Sequence, residues 1–294
     1  MSVASHYDGS ASSSADQYQR ENLWTLEDYP ANYFRLEILL RELAAAKATS
    51  LFEFGVGDAT PLVAAAKAGM EVAGFDVSPE MVENAKANLS ANGLDPERIC
   101  LADAQDLATL TPQIDRLGQF DAVMALGVIP HVSDDDQFVD HMSRFLKPGG
   151  QMFIAFRNSM FNLFTFNRLT KEFVLDELMA GVDESIRAVV EADLDARLAI
   201  DKPPRRTRDD GTPGYDEILA RFHNPLELSD LIRRHGFSDV RLHWYHYHPA
   251  PPMLSAAIGA TEYRKACFDL EHEGSWRGMF LCSAGLIEAI KDPA

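Results

Sequence analysis

The run Ser50-Leu-Phe-Glu-Phe-Gly-Val-Gly-Asp-Ala59 constrains the chain most: an apolar stretch passes through two glycines into a segment of helical composition. A strand leading through glycines into a helix is the opening unit of an open α/β sheet, and glycines there let backbone approach a ligand closely. The chain beyond Ala59 repeats that alternation. Strands are expected at 50–54, 70–75, 97–101, 119–125 and 151–156, with helices near 59–69, 79–92 and 134–146. An earlier helix spans Ala31 to Lys47, where Leu36, Leu39, Leu40 and Leu43 recur at helical spacing. Alternation of this kind predicts right-handed crossovers, a mostly parallel sheet and ligands at the carboxyl ends of its strands.

Boundary residues give the pattern physical support. Ser78 before Pro79 reads as an N-cap with a first-turn proline, and Asp134 to Asp136 place negative charge at a helix start. Leu146-Lys-Pro-Gly-Gly150 ends that helix and turns the chain into the fifth strand. Beyond Phe156 the pattern changes. Residues 157–222 read as a helical insertion over the carboxyl edge, with helices at 170–181 and 183–199 and a loop at 201–214. A helix at 225–235, a strand from Phe237 to about Tyr247 and a last strand from Gly278 to Leu286 complete the fold. Residues 1–30, with the small polar run GSASSSAD, are expected to be a flexible amino-terminal segment and lid, and 31–294 the main domain.

At 294 residues and 46% hydrophobic content, the chain can bury one α/β core. It shows neither a secretory leader nor an apolar run approaching the ~20 residues of a membrane span, so a cytoplasmic location without membrane partners is expected. Cys100, Cys267 and Cys282 form no C-x-x-C pair and read as packing thiols. The net charge of −18 would repel a phosphate backbone. Nucleic acid is therefore not expected as a partner, and the basic run Lys202 to Arg208, set among prolines and acids, reads as a solvated loop.

Three acids sharpen the reading. Glu53, Asp76 and Asp103 fall at the ends of the first three strands, all on one sheet edge. Each alone can be a helix cap or a surface acid. A carboxylate at Asp76 can accept from both ribose hydroxyls, and one at Asp103 from an amine such as the exocyclic group of adenine. Together with the LKPGG turn they resemble the class I S-adenosylmethionine-dependent methyltransferases, and the resemblance covers most of residues 50–156 and the final strands. It implies a Rossmann-like, seven-stranded, mostly parallel sheet with helices on both faces and a reversed seventh strand. It further implies S-adenosyl-L-methionine as cofactor, with Gly55 and Gly57 near its methionine portion, Asp76 on the ribose, and Met81, Asp103 and Ala104 around the adenine. Tyr18 and Arg35, before the first strand, are candidates for the cofactor's carboxylate.

Methyl transfer is an in-line displacement that gains most from alignment, and a base is needed only when the nucleophile arrives protonated. His131, just past the fourth strand in ALGVIPHV, is the candidate base; capping the following helix is its alternative role. Arg157 and Asn158, directly after the fifth strand, are candidates for acceptor binding, with a structural ion pair the alternative for Arg157. In LHWYHYHPAPP, strand alternation puts His246 and His248 on a face with Trp244 and His243 on the other; they line a pocket, pack, or supply metal ligands, and no metal is expected. The expected acceptor is a small-molecule oxygen or nitrogen. A nicotinamide-dependent oxidoreductase is the alternative, because G-x-G followed about twenty residues later by an acid fits that class too. A non-catalytic binder of S-adenosylmethionine is another. A nucleic-acid amino-methyltransferase would carry [DN]-P-P-[YF] where this chain has ALGVIPHV.

Overall fold

The computed structural model describes residues 15–26, 29–198, 221–271 and 274–293. Seven strands form one sheet: β1 (Ser50–Phe54), β2 (Glu71–Asp76), β3 (Ile99–Leu101), β4 (Phe120–Leu126), β5 (Leu146–Arg157), β6 (Phe237–Tyr247) and β7 (Cys282–Lys291). Their order is β3-β2-β1-β4-β5-β7-β6, with β7 antiparallel to both neighbours and every other pairing parallel. Strands buried on both faces require apolar residues at successive positions, and all five residues of β1 are buried. Leu51 then faces one core, while Phe52 and Phe54 face the other.

One face is covered by α1 (Ala31–Ala46), α2 (Thr60–Lys67) and α3 (Pro79–Ala91), which bring Leu39, Leu43, Leu62 and Leu89 against Leu51, Val72 and Phe153. The other is covered by α4 (Leu107–Leu117), α5 (Asp135–Arg144) and α8 (Pro225–Arg234), through Leu110, Phe138, Met142 and Ile232. Phe52 and Phe145 stack at 4.3 Å at the centre of that second layer. Between β5 and α8 the chain forms a short turn (Ser159–Phe164), α6 (Arg168–Glu172) running into a π-helical turn (Phe173–Leu178), and α7 (Glu184–Arg197). The expected loop at 201–214, with its basic run Lys202 to Arg208, falls outside the described residues.

Several boundaries depart from expectation for identifiable reasons. α4 has no counterpart in the sequence reading: Asp106 caps it by accepting from Ala108 N at 2.9 Å, but Pro112 within it reads as a breaker. The final strand begins later, at Cys282, because residues 278–281 form a helical turn, α11 (Gly278–Leu281), packed under Trp244. A Cβ at Gly278 would lie 2.3 Å from the Trp244 ring, so an absent side chain makes this packing possible. Two further helices, α9 (Ser255–Ile258) and α10 (Ala260–Leu270), follow β6. Ser78 and Asp134 cap α3 and α5, accepting from Met81 N and Gln137 N.

Candidate active site

The carboxyl ends of β1, β2 and β4 converge on the glycine loop. Gly55 and Gly57 take φ of +72° and +51°, conformations open to glycine. A side chain at Gly55 would strike Val128 at 2.5 Å, whereas nothing lies within 4 Å of the position a Cβ would take at Gly57. The loop therefore has a close neighbour on one side and open space on the other. Ala59 is also left-handed, at φ +60°, and fully buried. An alanine in this left-handed conformation carries a backbone cost that a glycine would not. Asn88 Nδ2 donates to Asp58 O at 2.7 Å and ties the loop to α3.

Asp76 ends β2, and its carboxylate accepts from Gly57 N and Ser78 N, one to each oxygen, both at 2.9 Å. These bonds hold the carboxylate at the mouth of the glycine loop. Met81 is buried in the first turn of α3. Asp103 lies two residues beyond β3 in a loop with its own bracing. Asp103 Oδ1 accepts from Gln105 N at 2.9 Å, and Gln105 Oε1 accepts from Ser133 N at 2.7 Å, joining this loop to the one after β4. His141 Nδ1 bonds Ala104 O at 2.7 Å from α5. His141 is a positioning residue the sequence reading missed, since a histidine inside a helix carries no signal of contact with a distant loop.

The most unusual chemistry lies between α1 and the end of β1. Arg35 and Glu53 are 8% and 1% exposed, and Arg35 Nε and Glu53 Oε2 are buried without hydrogen-bond partners. Burial pushes the Glu53 carboxyl well above its ordinary range, with Arg35 opposing and Asp58 and Asp76 reinforcing the shift. Arg35 Nη2 donates to the Tyr18 hydroxyl at 3.0 Å and also reaches the Tyr245 hydroxyl from β6. Burial likewise raises both phenols. An unsatisfied guanidinium nitrogen and an unsatisfied carboxylate oxygen beside a glycine loop call for a ligand carrying both charges. The α-ammonium and α-carboxylate of an amino acid meet that demand, so the donor set fits the methionine end of S-adenosylmethionine. Tyr245 completes the set, although strand alternation offered no reason to separate it from its aromatic neighbours.

The remaining candidates are dispersed. His131 is buried in a single turn after β4, its backbone N bonded to Val128 O at 2.9 Å. Arg157 lies over the Phe222 ring, 3.8 Å from its centroid, beside a groove of about 530 Å³ that also contains Asp135, Glu177, Arg221 and His223. Asn158 is fully buried, and both hydrogens of its amide go to backbone carbonyls, Met279 O at 2.7 Å and Cys282 O at 2.9 Å. Its oxygen accepts from Met160 N, so this side chain fastens β5 to the start of β7. His243 pairs with the buried Glu288 at 2.7 Å, where Arg241 and Gln151 also donate. Glu42 joins this group, whose possible metal-binding atoms lie within 4.8 Å of one another, but Glu288 is already matched by three protein donors. His246 breaks the expected alternation: at φ +61° it stacks on Tyr29, on the side of Tyr245, while Trp244 packs into the opposite core.

The family described as "Methyltransferase domain" matches residues 52–154. A ubiquinone biosynthesis O-methyltransferase of Brucella anthropi is 31% identical over 150 residues, which cover 51% of this chain and 57% of that protein. One of the same description from Coxiella burnetii is 23% identical over 240 residues, covering 82% and 85%. A solved chain from the complex between the Haloferax volcanii Trm112 methyltransferase activator and a methyltransferase shares the fold, with a TM-score of 0.54, 15% identity and coverage of 100% and 99%.

Proposed function

Because the chain is a class I S-adenosylmethionine-dependent methyltransferase, we propose that it transfers the donor's methyl group to an oxygen or nitrogen of a small molecule. The observation that carries this reading is the pair of buried, unpartnered atoms Arg35 Nε and Glu53 Oε2 beside the glycine loop. On this reading Arg35, with Tyr18 and Tyr245, receives the donor's carboxylate, and Glu53 its ammonium. Gly57 leaves room for the donor to approach the loop, Asp76 takes the ribose hydroxyls, and Met81, Asp103 and Ala104 border the adenine. The bound donor supplies a methyl group on a positively charged sulfur, an electrophile that needs no further activation.

The protein's own contribution is then alignment and exclusion of water. The described amino-terminal residues support a lid: Tyr18 reaches the buried guanidinium of Arg35, and Trp24 packs edge-on to Phe268 of α10. His131 would take a proton from the acceptor, and Arg157 would attract an anionic group on it. Asn158 contributes by holding β5 in place. The O-methyltransferase relatives favour oxygen as the accepting atom. A nicotinamide dinucleotide is a poorer match, since its pyrophosphate would lie beside Glu53 and Asp58. A small-molecule acceptor is consistent with the overall acidity of the chain, which would repel a phosphate backbone.

Donor binding and release of S-adenosylhomocysteine, measured across a panel of hydroxylated and amino small molecules, test this reading. Asp76→Ala should weaken donor binding roughly ten- to a hundredfold, through loss of hydrogen bonds to a charged acceptor. His131→Ala should leave donor affinity intact and lower turnover about a hundredfold or more. Unchanged donor affinity in Asp76→Ala would overturn the site assignment. A wild-type protein that binds the donor but releases no product with any acceptor would be a binding module.

A further inference from the structure

The turn that carries His131 is anchored from two sides, and the two anchors differ in kind. On one side Arg221 N donates to Pro130 O at 2.8 Å, and the Arg221 guanidinium pairs with Asp135 in the first turn of α5. This anchor joins the turn to the segment entering α8. On the other side, the one bond of Ser133 N among the described residues goes to a side chain, Gln105 Oε1, at 2.7 Å. Ser133 Oγ donates to the same oxygen, also at 2.7 Å. Ser133 stands two residues after His131 and directly before Asp134, the cap of α5.

Gln105 is placed in turn by the residues proposed to border the adenine. Its backbone N donates to Asp103 Oδ1 at 2.9 Å, closing a short turn over Asp103, Ala104 and Gln105. The back of that loop is fixed to α4 and α5, because Asp103 N donates to Thr109 Oγ1 at 3.0 Å and His141 Nδ1 bonds Ala104 O at 2.7 Å. Asp103 Oδ2 has no partner among the described residues. The path from a group on Asp103 to the His131 turn is therefore short: the Asp103 carboxylate, Gln105 and Ser133.

This path has a physical means of responding to a ligand. Ser133 is exposed and Gln105 half-buried, so their bond opens by a local fluctuation that costs far less than global unfolding. An adenine amine donating to Asp103 keeps the short turn closed, keeps Gln105 aimed at Ser133 and so makes that opening rarer. The Arg221 anchor involves none of the residues assigned to the donor and stays the same with or without it.

Resting on the methyl-transfer reading above, we propose that Gln105 is a positioning residue that passes occupancy of the adenine side of the donor site to the turn presenting His131. The turn is held in place when the donor is bound and loosens when the donor leaves. Linkage is reciprocal, so the intact Gln105 bond also strengthens donor binding.

Amide hydrogen exchange of the full chain, with and without saturating S-adenosylhomocysteine, reads this bond at Ser133 N. The ligand should slow exchange at Ser133 at least about tenfold, together with exchange at Gly57 in the glycine loop. Gln105→Met keeps the side-chain length and removes the acceptor; the slowing at Ser133 should vanish, that at Gly57 persist, and S-adenosylhomocysteine affinity fall about fivefold. Gln105→Glu keeps the acceptor and should restore the slowing at Ser133. A purely structural link would leave wild-type exchange at Ser133 the same with and without ligand. That result, slowing retained in Gln105→Met, or slowing absent in Gln105→Glu, each with Gly57 still slowed, would overturn the role of Gln105 alone. Failure of the wild-type chain to bind S-adenosylhomocysteine would instead defeat the underlying methyl-transfer reading.

Discussion

At the scale of single residues, Glu271 ties the amino-terminal segment to the sheet. It follows α10 directly, and its Oε1 accepts from the Tyr29 hydroxyl at 2.6 Å and from Tyr247 N at 3.0 Å. Burial lifts its carboxyl from 4.5 to about 7, against the lowering effect of those hydrogen bonds. The folded state therefore holds a proton that the unfolded chain releases, and stability falls as pH rises from the unfolded value through about 7. The span corresponds to about 3 kcal/mol. Glu271→Gln should flatten the loss of stability between about pH 5 and pH 8 in urea denaturation. An unchanged slope would show that Glu271 is not the group responsible.

Residue by residue, the sequence was most legible where a local rule applies. Ser78 caps as expected, and Asp134, expected only to place negative charge at a helix start, caps as well, because N-capping depends on residues two or three positions away. Asp76 falls on the last position of β2 because strand and loop are adjacent in the chain. Asn158 and Tyr245 were less legible because their partners, Met279 O, Cys282 O and Arg35, lie more than a hundred positions away. The left-handed turn at His246 was hidden for a related reason: period-two alternation assumes regular backbone, and one positive φ sends the side chain to the other face.

At the scale of elements, the amino edge of the sheet is clamped by Asp121 at the start of β4. Asp121 Oδ2 accepts from Thr49 N, Thr49 Oγ1 and Ser50 N, and Oδ1 from Lys147 Nζ at 2.8 Å. Burial alone would raise this carboxyl, but the bonds from Lys147 and Thr49 outweigh it and hold it well below the usual range. One side chain thus joins the entry to β1, the start of β4 and the LKPGG turn. Asp121→Ala should cost about 2 kcal/mol, read as a lower urea midpoint, with donor affinity unchanged because the donor site lies at the opposite edge. Equal loss of donor affinity would show that the two edges are not independent. The β-α alternation from β1 to β5 was legible for a physical reason, since buried strands and amphipathic helices have different apolar periods. α4 was obscured by Pro112, and the boundary between α11 and β7 by a continuous apolar run that fits either state.

At the scale of the whole molecule, the sheet separates two tasks. Its faces are closed by two aromatic and aliphatic cores, and its carboxyl edge gathers Arg35, Glu53, Asp76 and Asp103 around the glycine loop. Among the described residues no helix is long and apolar enough to cross a membrane. The acids that carry the donor assignment were visible as strand ends, whereas Arg35 and Tyr245 could be joined to them only by the packing of α1 and β6 across the sheet. We propose that this edge is built for a sulfonium-bearing amino acid and excludes a pyrophosphate. Calorimetric titration of the wild-type chain with S-adenosylmethionine and, separately, with NAD separates the two ligands. Saturable one-to-one binding of S-adenosylmethionine and none of NAD is expected; saturable binding of NAD with no heat from S-adenosylmethionine would refute the assignment.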